Sequence, residues 1–507
     1  MSILMNNVRH NWFRVSRSII WLVIFFVSQC AHLHPPSTQI QSPSSETAKR
    51  AYDSRALEHF TAGENFSLQG NYPMAILEYQ DALQYDTTSA TIYLSLGKAY
   101  LNLGKFERGL AALEKAIQRD PNDSEAREIF AQVLFLSGRA QEAAPHYEFL
   151  ARQQPDNLEV LYQLAATYLQ TRNFEKALPV YDQIYKRDTT QVQALEKAAD
   201  VAIMLRDGKR AIGYYDQLLR KDPDNEKYLR NRADLAAIME DLPTAIAIYK
   251  RLMMMQSEKV EIREELGELL SRSDNQVEAE SFLKLLIESY PEREASYINL
   301  AYLYLRQQKY PVALAFLDSA TQKYPRQPAF RVMQGLVFNT LKRYPEAEQA
   351  LTAALELQPA NIQAQHILAN VWDVLGKYQL SDSMYNHIIK NNADDIVALN
   401  NYAYSLAVRG VRLKEALQMV EKALRQEPEN ASYLDTKGWV LFKMGKLNEA
   451  QKYIQKALKI ESKNAEVLEH MGDIFKAMGK SAQARQYYRQ ALTIDPENNR
   501  LKQKIAP

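Results

Sequence analysis

The sequence predicts an all-α solenoid of about thirteen stacked helical pairs. Three observations carry that prediction. Prolines recur at a fixed interval, two columns of small residues run along the chain, and glycine is scarce. Pro121, Pro155, Pro223, Pro291, Pro325 and Pro359 are separated by 34, 68, 68, 34 and 34 residues. A 34-residue frame laid from Ala56 starts at 56, 90, 124, 158, 192, 226, 260, 294, 328, 362 and 396. One extra residue near Gly410 moves the last two starts to 431 and 465. Glycine numbers 16 in 507, about 3% against a usual ~7%, which disfavours β-sandwiches and phosphate-cradling loops.

The frame is tested by columns that did not set it. Its eighth position reads Gly63, Gly97, Ala131, Ala165, Ala199, Ala233, Gly267, Ala301, Gly335, Ala369, Ala403, Gly438 and Gly472. Its twentieth is alanine throughout, except for Gly109 and Ser381. Small residues where two helices cross let their backbones approach. Bulky residues then fill the space beside them. Tyr100, Tyr168, Tyr304, Phe338, Trp372 and Phe475 lie on the first helix, A; Tyr79, Tyr147, Tyr181, Tyr215, Tyr249, Tyr385 and Tyr488 lie on the second, B. The proline at position 32 ends helix B, because it lacks an N–H and clashes with the preceding turn. It is also suited to open the next helix. The repeats starting at 192 and 226 lack the helix A aromatic but keep the period and the small columns.

Over residues 56–498 this pattern resembles the tetratricopeptide repeat family. The resemblance implies a right-handed superhelix whose concave groove is lined mainly by A helices, with frame positions 2, 5, 9 and 12 facing inward. On that geometry the middle of the groove is acidic: Glu196, Asp200, Asp234, Glu261, Glu264, Glu265 and Glu268. The later groove is aromatic and amide-rich: Tyr302, Leu336, Asn370, Asn400, Asn401, Tyr404, Asp435 and Trp439. Asn side chains can both donate to and accept from an extended peptide backbone. Tyr and Trp supply rigid contact area typical of binding hot spots. These eight are the candidate partner-binding residues, although Tyr302, Tyr404 and Trp439 would equally serve as packing between A helices. No three successive repeats supply the Lys and Asn set of the chaperone-tail clamp, so that use is excluded.

The amino terminus reads differently. Residues 1–29 carry Arg9, Arg14 and Arg17 and no acid, followed by the apolar run Ile19 to Val27. Nine residues are too few to cross the ~30 Å hydrocarbon core as a helix. A basic region followed by a short apolar run is the pattern of a secretory signal peptide. The segment Val27-Ser28-Gln29-Cys30 resembles a bacterial lipoprotein signal, although Gln29 stands where that family has a small residue. The resemblance implies lipidation of Cys30, the single cysteine, and a membrane held through that anchor. Residues 30–55 then form a polar tether, rich in Pro, Ser and Thr, that cannot bury enough apolar surface to order itself.

Net charge is +1, from 62 basic and 61 acidic residues, so no basic excess points to nucleic acid. The eight histidines are scattered without metal-ligand spacing, and no phosphate loop, nucleophile elbow or HExxH motif occurs. No catalytic residue, cofactor or metal is expected, and no space remains for an appended catalytic domain. After Asn498 only nine residues follow, a short tail over 499–507. Tyr487, Tyr488, Ala491 and Leu492 are then expected either to form a homodimer contact or to be covered by Leu501 and Ile505.

The block from 400 to 450 is similar to the carboxyl-terminal repeats of bacterial tetratricopeptide lipoproteins. It implies a non-catalytic adaptor at the outer membrane, facing the periplasm, that docks a protease or cell-wall enzyme. Assembly of an envelope secretion or polysaccharide-export machine is the alternative within the same class. A glycan-binding module, suggested by the Tyr, Trp and Asn residues, is the alternative outside it.

Overall fold

A computed structural model describes residues 53–505. The expected signal peptide, Cys30 and the tether up to residue 52 lie outside the described residues. Every regular element among the described residues is a helix, and no strand occurs among them.

The chain divides into two compact units, one ending at Leu269 and the other beginning at Leu270. The first holds α1 (Ser54–Leu68), α2 (Tyr72–Tyr85), α3 (Ala90–Asn102), α4 (Phe106–Arg119), α5 (Ser124–Leu136), α6 (Ala140–Gln153), α7 (Leu158–Gln170), α8 (Phe174–Arg187), α9 (Val192–Met204), α10 (Gly208–Lys221), α11 (Glu226–Ile238) and α12 (Leu242–Met255). The dividing point lies inside α13 (Val260–Arg272). The second holds α14 (Gln276–Ser289), α15 (Glu294–Arg306), α16 (Tyr310–Lys323), α17 (Pro328–Thr340), α18 (Tyr344–Leu357), α19 (Ile362–Val374), α20 (Tyr378–Asn391), α21 (Ile396–Arg409), α22 (Leu413–Gln426), α23 (Ala431–Lys443), α24 (Leu447–Ile460), α25 (Ala465–Ala477), α26 (Ser481–Ile494) and α27 (Asn499–Ile505). Odd-numbered helices up to α25 are the A helices of the frame. The repeats starting at 192 and 226, weakest in sequence, form the pairs α9–α10 and α11–α12.

The small columns are where the helices cross. Every residue of the eighth and twentieth columns is buried. A Cβ added at Gly97 would lie 2.8 Å from Leu113 Cγ and 3.3 Å from the Gly109 carbonyl oxygen. One added at Gly63 would lie 2.6 Å from the Tyr79 ring. Where position 8 is glycine, the B-helix side chain at position 24 (Tyr79, Leu113 and Tyr488 are examples) therefore sits directly on the missing side chain. Tyr at that position also reaches the acid at position 9: the hydroxyls of Tyr79, Tyr249 and Tyr488 donate to Glu64, Asp234 and Asp473 at 2.8, 2.7 and 2.8 Å.

Successive repeats are stitched by a second recurrent contact. The helix A aromatic of one repeat donates to a carboxylate on helix B of the repeat before. Tyr168 reaches Glu148 at 2.6 Å and Trp372 reaches Glu348 at 2.7 Å. Lys176 and Lys377 donate to the same two carboxylates. In the second unit each A helix from α15 onward also touches the next A helix. This close A-to-A approach places the A helices on the inner side of that unit's curvature.

Local chemistry sets the helix ends. Ser89, Asp123, Asn157, Asn225, Asn361, Asp395, Asn430 and Asn464 cap A helices by accepting backbone N–H groups. Outside the repeat starting at 260, the residue at position 15 adopts a left-handed conformation, whether it is glycine, as at Gly104 (φ 72°), or not, as at Arg172 (φ 56°). The extra residue near Gly410 is absorbed into helix. α21 runs one residue longer than the A helices on either side, α19 and α23, and its turn to α22 takes positive φ at both Gly410 and Arg412. The prolines at position 32 lie in the turn after helix B. They do not occupy the first position of the next helix, which starts three residues later, as Pro121 and Ser124 illustrate.

The carboxyl end takes the second of the two forms expected for it. Residues 499–505 form α27, and Leu501 is fully buried against α26. Tyr488 and Ala491 are buried, and Tyr487, Leu492 and Ile505 are half-buried around the same core. The apolar face that suggested a homodimer contact is covered by the chain itself, which removes the observation on which that expectation rested.

Candidate partner-binding site

The eight candidate residues all lie on A helices of the second unit; Asn401 is half-buried on α21, and the other seven fall into two groups. The first group is open. Tyr302 on α15 and Leu336 on α17 are half-buried, and Asn370 on α19 is exposed. These three occupy position 9 of successive repeats. No hydrogen bond engages the Tyr302 hydroxyl or the Asn370 amide among the described residues.

The second group is closed. Asn400, Asp435 and Trp439 are 4%, 6% and 8% exposed. Asn400 donates to Asn401 at 3.3 Å, while its own carbonyl oxygen has no partner. Trp439 stacks on His470 with centroids 4.0 Å apart and on Phe442 at 4.9 Å; its indole N–H is buried without a partner. Tyr404 is half-buried, and its hydroxyl donates to Glu466, two repeats further on. Burial raises the Tyr404 phenol, and the Glu466 carboxylate adds to that rise.

His470 is the functional-looking residue that the sequence did not single out. It is 5% exposed, and its Nδ1 lies 2.9 and 3.1 Å from the two Asp435 carboxylate oxygens. Burial disfavours its charge, but Asp435, with Glu466 and Asp473, more than offsets this and holds the imidazole above its ordinary value. On α27, Lys504 donates to Asp473 at 2.6 Å and pairs with Glu469, and Arg500 donates to Glu469 at 2.8 Å. The only sequence signal for this cluster was the 35-residue separation of Asp435 and His470, close to one repeat.

The acidic residues of the first unit are largely engaged within the fold. Glu196 accepts from Lys227 at 3.0 Å and from Tyr228 at 2.8 Å. Burial and that carboxylate push the Tyr228 phenol up to about 12. Burial raises the carboxyls of Asp200 and Asp234, the second of which accepts from Tyr249. Among the described residues no group of three or more His, Cys, Asp or Glu is placed to hold a metal ion. None of their helices is long and apolar enough to cross a membrane.

Fold and site together define a class: a protein-interaction scaffold of stacked helical hairpins. Family models agree. The Cytochrome c-type biogenesis protein H TPR domain matches residues 75–187, the Psidin N-terminal TPR repeats region matches 404–505, and the generic tetratricopeptide repeat matches 196–256 and 298–362. The chain is a tetratricopeptide-repeat protein. It is 37% identical over 60 residues to TPR repeat-containing protein PA4667 of Pseudomonas aeruginosa, covering 12% of this chain and 10% of that one. It is 28% identical over 129 residues to Superkiller complex protein 3 of Mus musculus, covering 25% and 8%. The chain thus spans about a tenth of the length of these curated relatives. Among solved structures, a tetratricopeptide repeat protein from Parabacteroides merdae aligns with TM-score 0.42 and 18% identity over 51% of this chain and 97% of that one. The APC/C hetero-tetramer Cut9–Hcn1 aligns with TM-score 0.44 and 15% identity over 89% and 96%.

Proposed function

We propose that the chain holds an extended peptide segment of a protein partner along the A-helix face of repeats 8–11. The observation that supports this reading is the open strip of Tyr302, Leu336 and Asn370. One rigid aromatic, one aliphatic and one free amide recur at one-repeat spacing, which matches apolar anchoring plus backbone hydrogen bonding. Asn401, half-buried on α21, continues the strip. Asn400 donates to Asn401, and Asp435 and Trp439 are buried in the next repeat. A glycan module would use Trp439 as its platform, but that ring is stacked on His470 and Phe442.

The test selects peptides on the wild-type chain by display and measures their affinity for Tyr302→Ala combined with Asn370→Ala. Both side chains reach solvent, so the fold should survive. Affinity should fall at least about tenfold, the loss of one aromatic anchor. Equal affinity would sink the reading.

The setting of that function is a separate part of the proposal: an adaptor lipidated at Cys30, at the outer membrane facing the periplasm, that docks a protease or cell-wall enzyme. The sequence of residues 1–30 supports it. Metabolic labelling with a lipid precursor tests it, because Cys30→Ala should abolish incorporation. Co-purification of membrane secretion components, with no soluble enzyme, would favour the assembly-factor alternative.

A further inference from the structure

The outer face of helices α24 and α26 differs from the rest of the second unit. Residues 270–505 hold 31 basic and 26 acidic side chains, whereas residues 53–269 hold 26 and 34. Arg306, Arg409, Lys422, Lys437 and Lys504 of the second unit are each paired with a carboxylate. On α24, Lys452, Lys456 and Lys459 are exposed and lie opposite the buried Ala450, Ile454 and Ala457. On α26, Arg485 and Arg489 are exposed beside Gln486, Gln490 and Thr493. Among the described residues, none of these five cations has a carboxylate partner within ion-pair distance. α26 contains no acid at all, and α24 contains only Glu449, in its first turn. Ile460 and Ile494, the last residues of the two helices, are exposed at the same frame position, 53% and 42%.

We propose that this face docks on an anionic lipid bilayer. Five uncompensated cations on the B helices of successive repeats complement a negatively charged plane. Two exposed isoleucines at its edge supply shallow apolar insertion, the combination expected of an interfacial surface. A nucleic acid strand would favour exposed aromatic rings between the cations. The aromatic rings here, Tyr453 and Tyr487, are half-buried, and Tyr453 lies under Lys437 at 4.5 Å. An acidic peptide would favour a groove, and the B helices present their outer side. The surface is separate from the A-helix strip, so failure of one proposal leaves the other standing.

Co-sedimentation of the full chain with vesicles tests this. One set contains 30% phosphatidylglycerol in phosphatidylcholine, the other phosphatidylcholine alone, which reads any contribution of the amino terminus. The chain should prefer the anionic vesicles at 0.1 M salt and lose that preference at 0.5 M. Each basic residue near such a surface contributes about fivefold. The combined variant Lys452→Gln, Lys456→Gln, Arg485→Gln and Arg489→Gln should therefore lower anionic-vesicle binding at least about fiftyfold. All four positions are exposed, and circular dichroism checks that the variant is folded. Equal binding to the two vesicle types, undiminished binding by the variant, or binding of a polyuridylate 30-mer without lipid preference would each overturn the proposal.

Discussion

Gly97→Ala is the sharpest probe of the close crossing on which every repeat depends. The new Cβ would lie 2.8 Å from Leu113 Cγ, 3.0 Å from its Cδ2 and 3.3 Å from the Gly109 carbonyl oxygen. Carbon atoms pack best at about 3.5–4.0 Å, so the overlap approaches 1 Å against a branch carbon and a backbone group, neither a free side-chain end. Overpacking of this kind costs about 1–3 kcal/mol. Alanine returns about 1 kcal/mol of helix propensity. The net expectation is destabilisation by up to about 2 kcal/mol. Gly213→Ala is the matched control, because it lies inside α10 and no heavy atom comes within 4 Å of its added Cβ. That change should stabilise by about 0.5–1 kcal/mol. Repeat arrays lose simple two-state behaviour, so native-state hydrogen exchange of peptides from α3–α4 and α10 is the suitable assay. If Gly97→Ala raises protection as Gly213→Ala does, the crossing is not tight and the packing argument fails.

Arg172 holds a left-handed backbone, is exposed and has no ion-pair partner, so Arg172→Gly should stabilise α7–α8 by about 1 kcal/mol; an unchanged urea midpoint would refute this. The pair between His470 and Asp435 makes repeats 12–13 pH-sensitive. The imidazole is held above its ordinary value, so its stabilisation is complete below pH ~6.5 and is lost as pH rises through the higher folded value. Hydrogen exchange in α23 and α25 should therefore quicken beyond its intrinsic pH trend between pH 6 and 9. His470→Gln should flatten that excess, and an identical pH profile in the variant would contradict the assignment.

The repeat frame was legible because its signals are local and redundant. Gly97 and Gly109 mark a crossing without knowledge of the partner helix, and the period survives at Ala202 and Ala236, where the aromatic is missing. The candidate site was less legible. Position in the frame placed Tyr302, Asn370 and Trp439 on the same helix type, but it did not tell which would stay open. That depends on the neighbouring repeat. Trp439 is covered because His470 stands one repeat later, whereas nothing large stacks on Tyr302. The covering of Tyr487 and Leu492 hinged on whether NRLKQKI would form helix. Its short length and single fully buried anchor, Leu501, gave little periodicity to read.

The bond from Tyr404 to Glu466 skips a whole repeat. In an ideal linear array each hairpin senses only its immediate neighbours, and stability is a sum of adjacent pairs. Here three consecutive hairpins are tied across the middle one, so α21 to α26 should open as one cooperative block instead of fraying stepwise. A protease that trims the other repeats gradually would then leave this block whole until it unfolds at once.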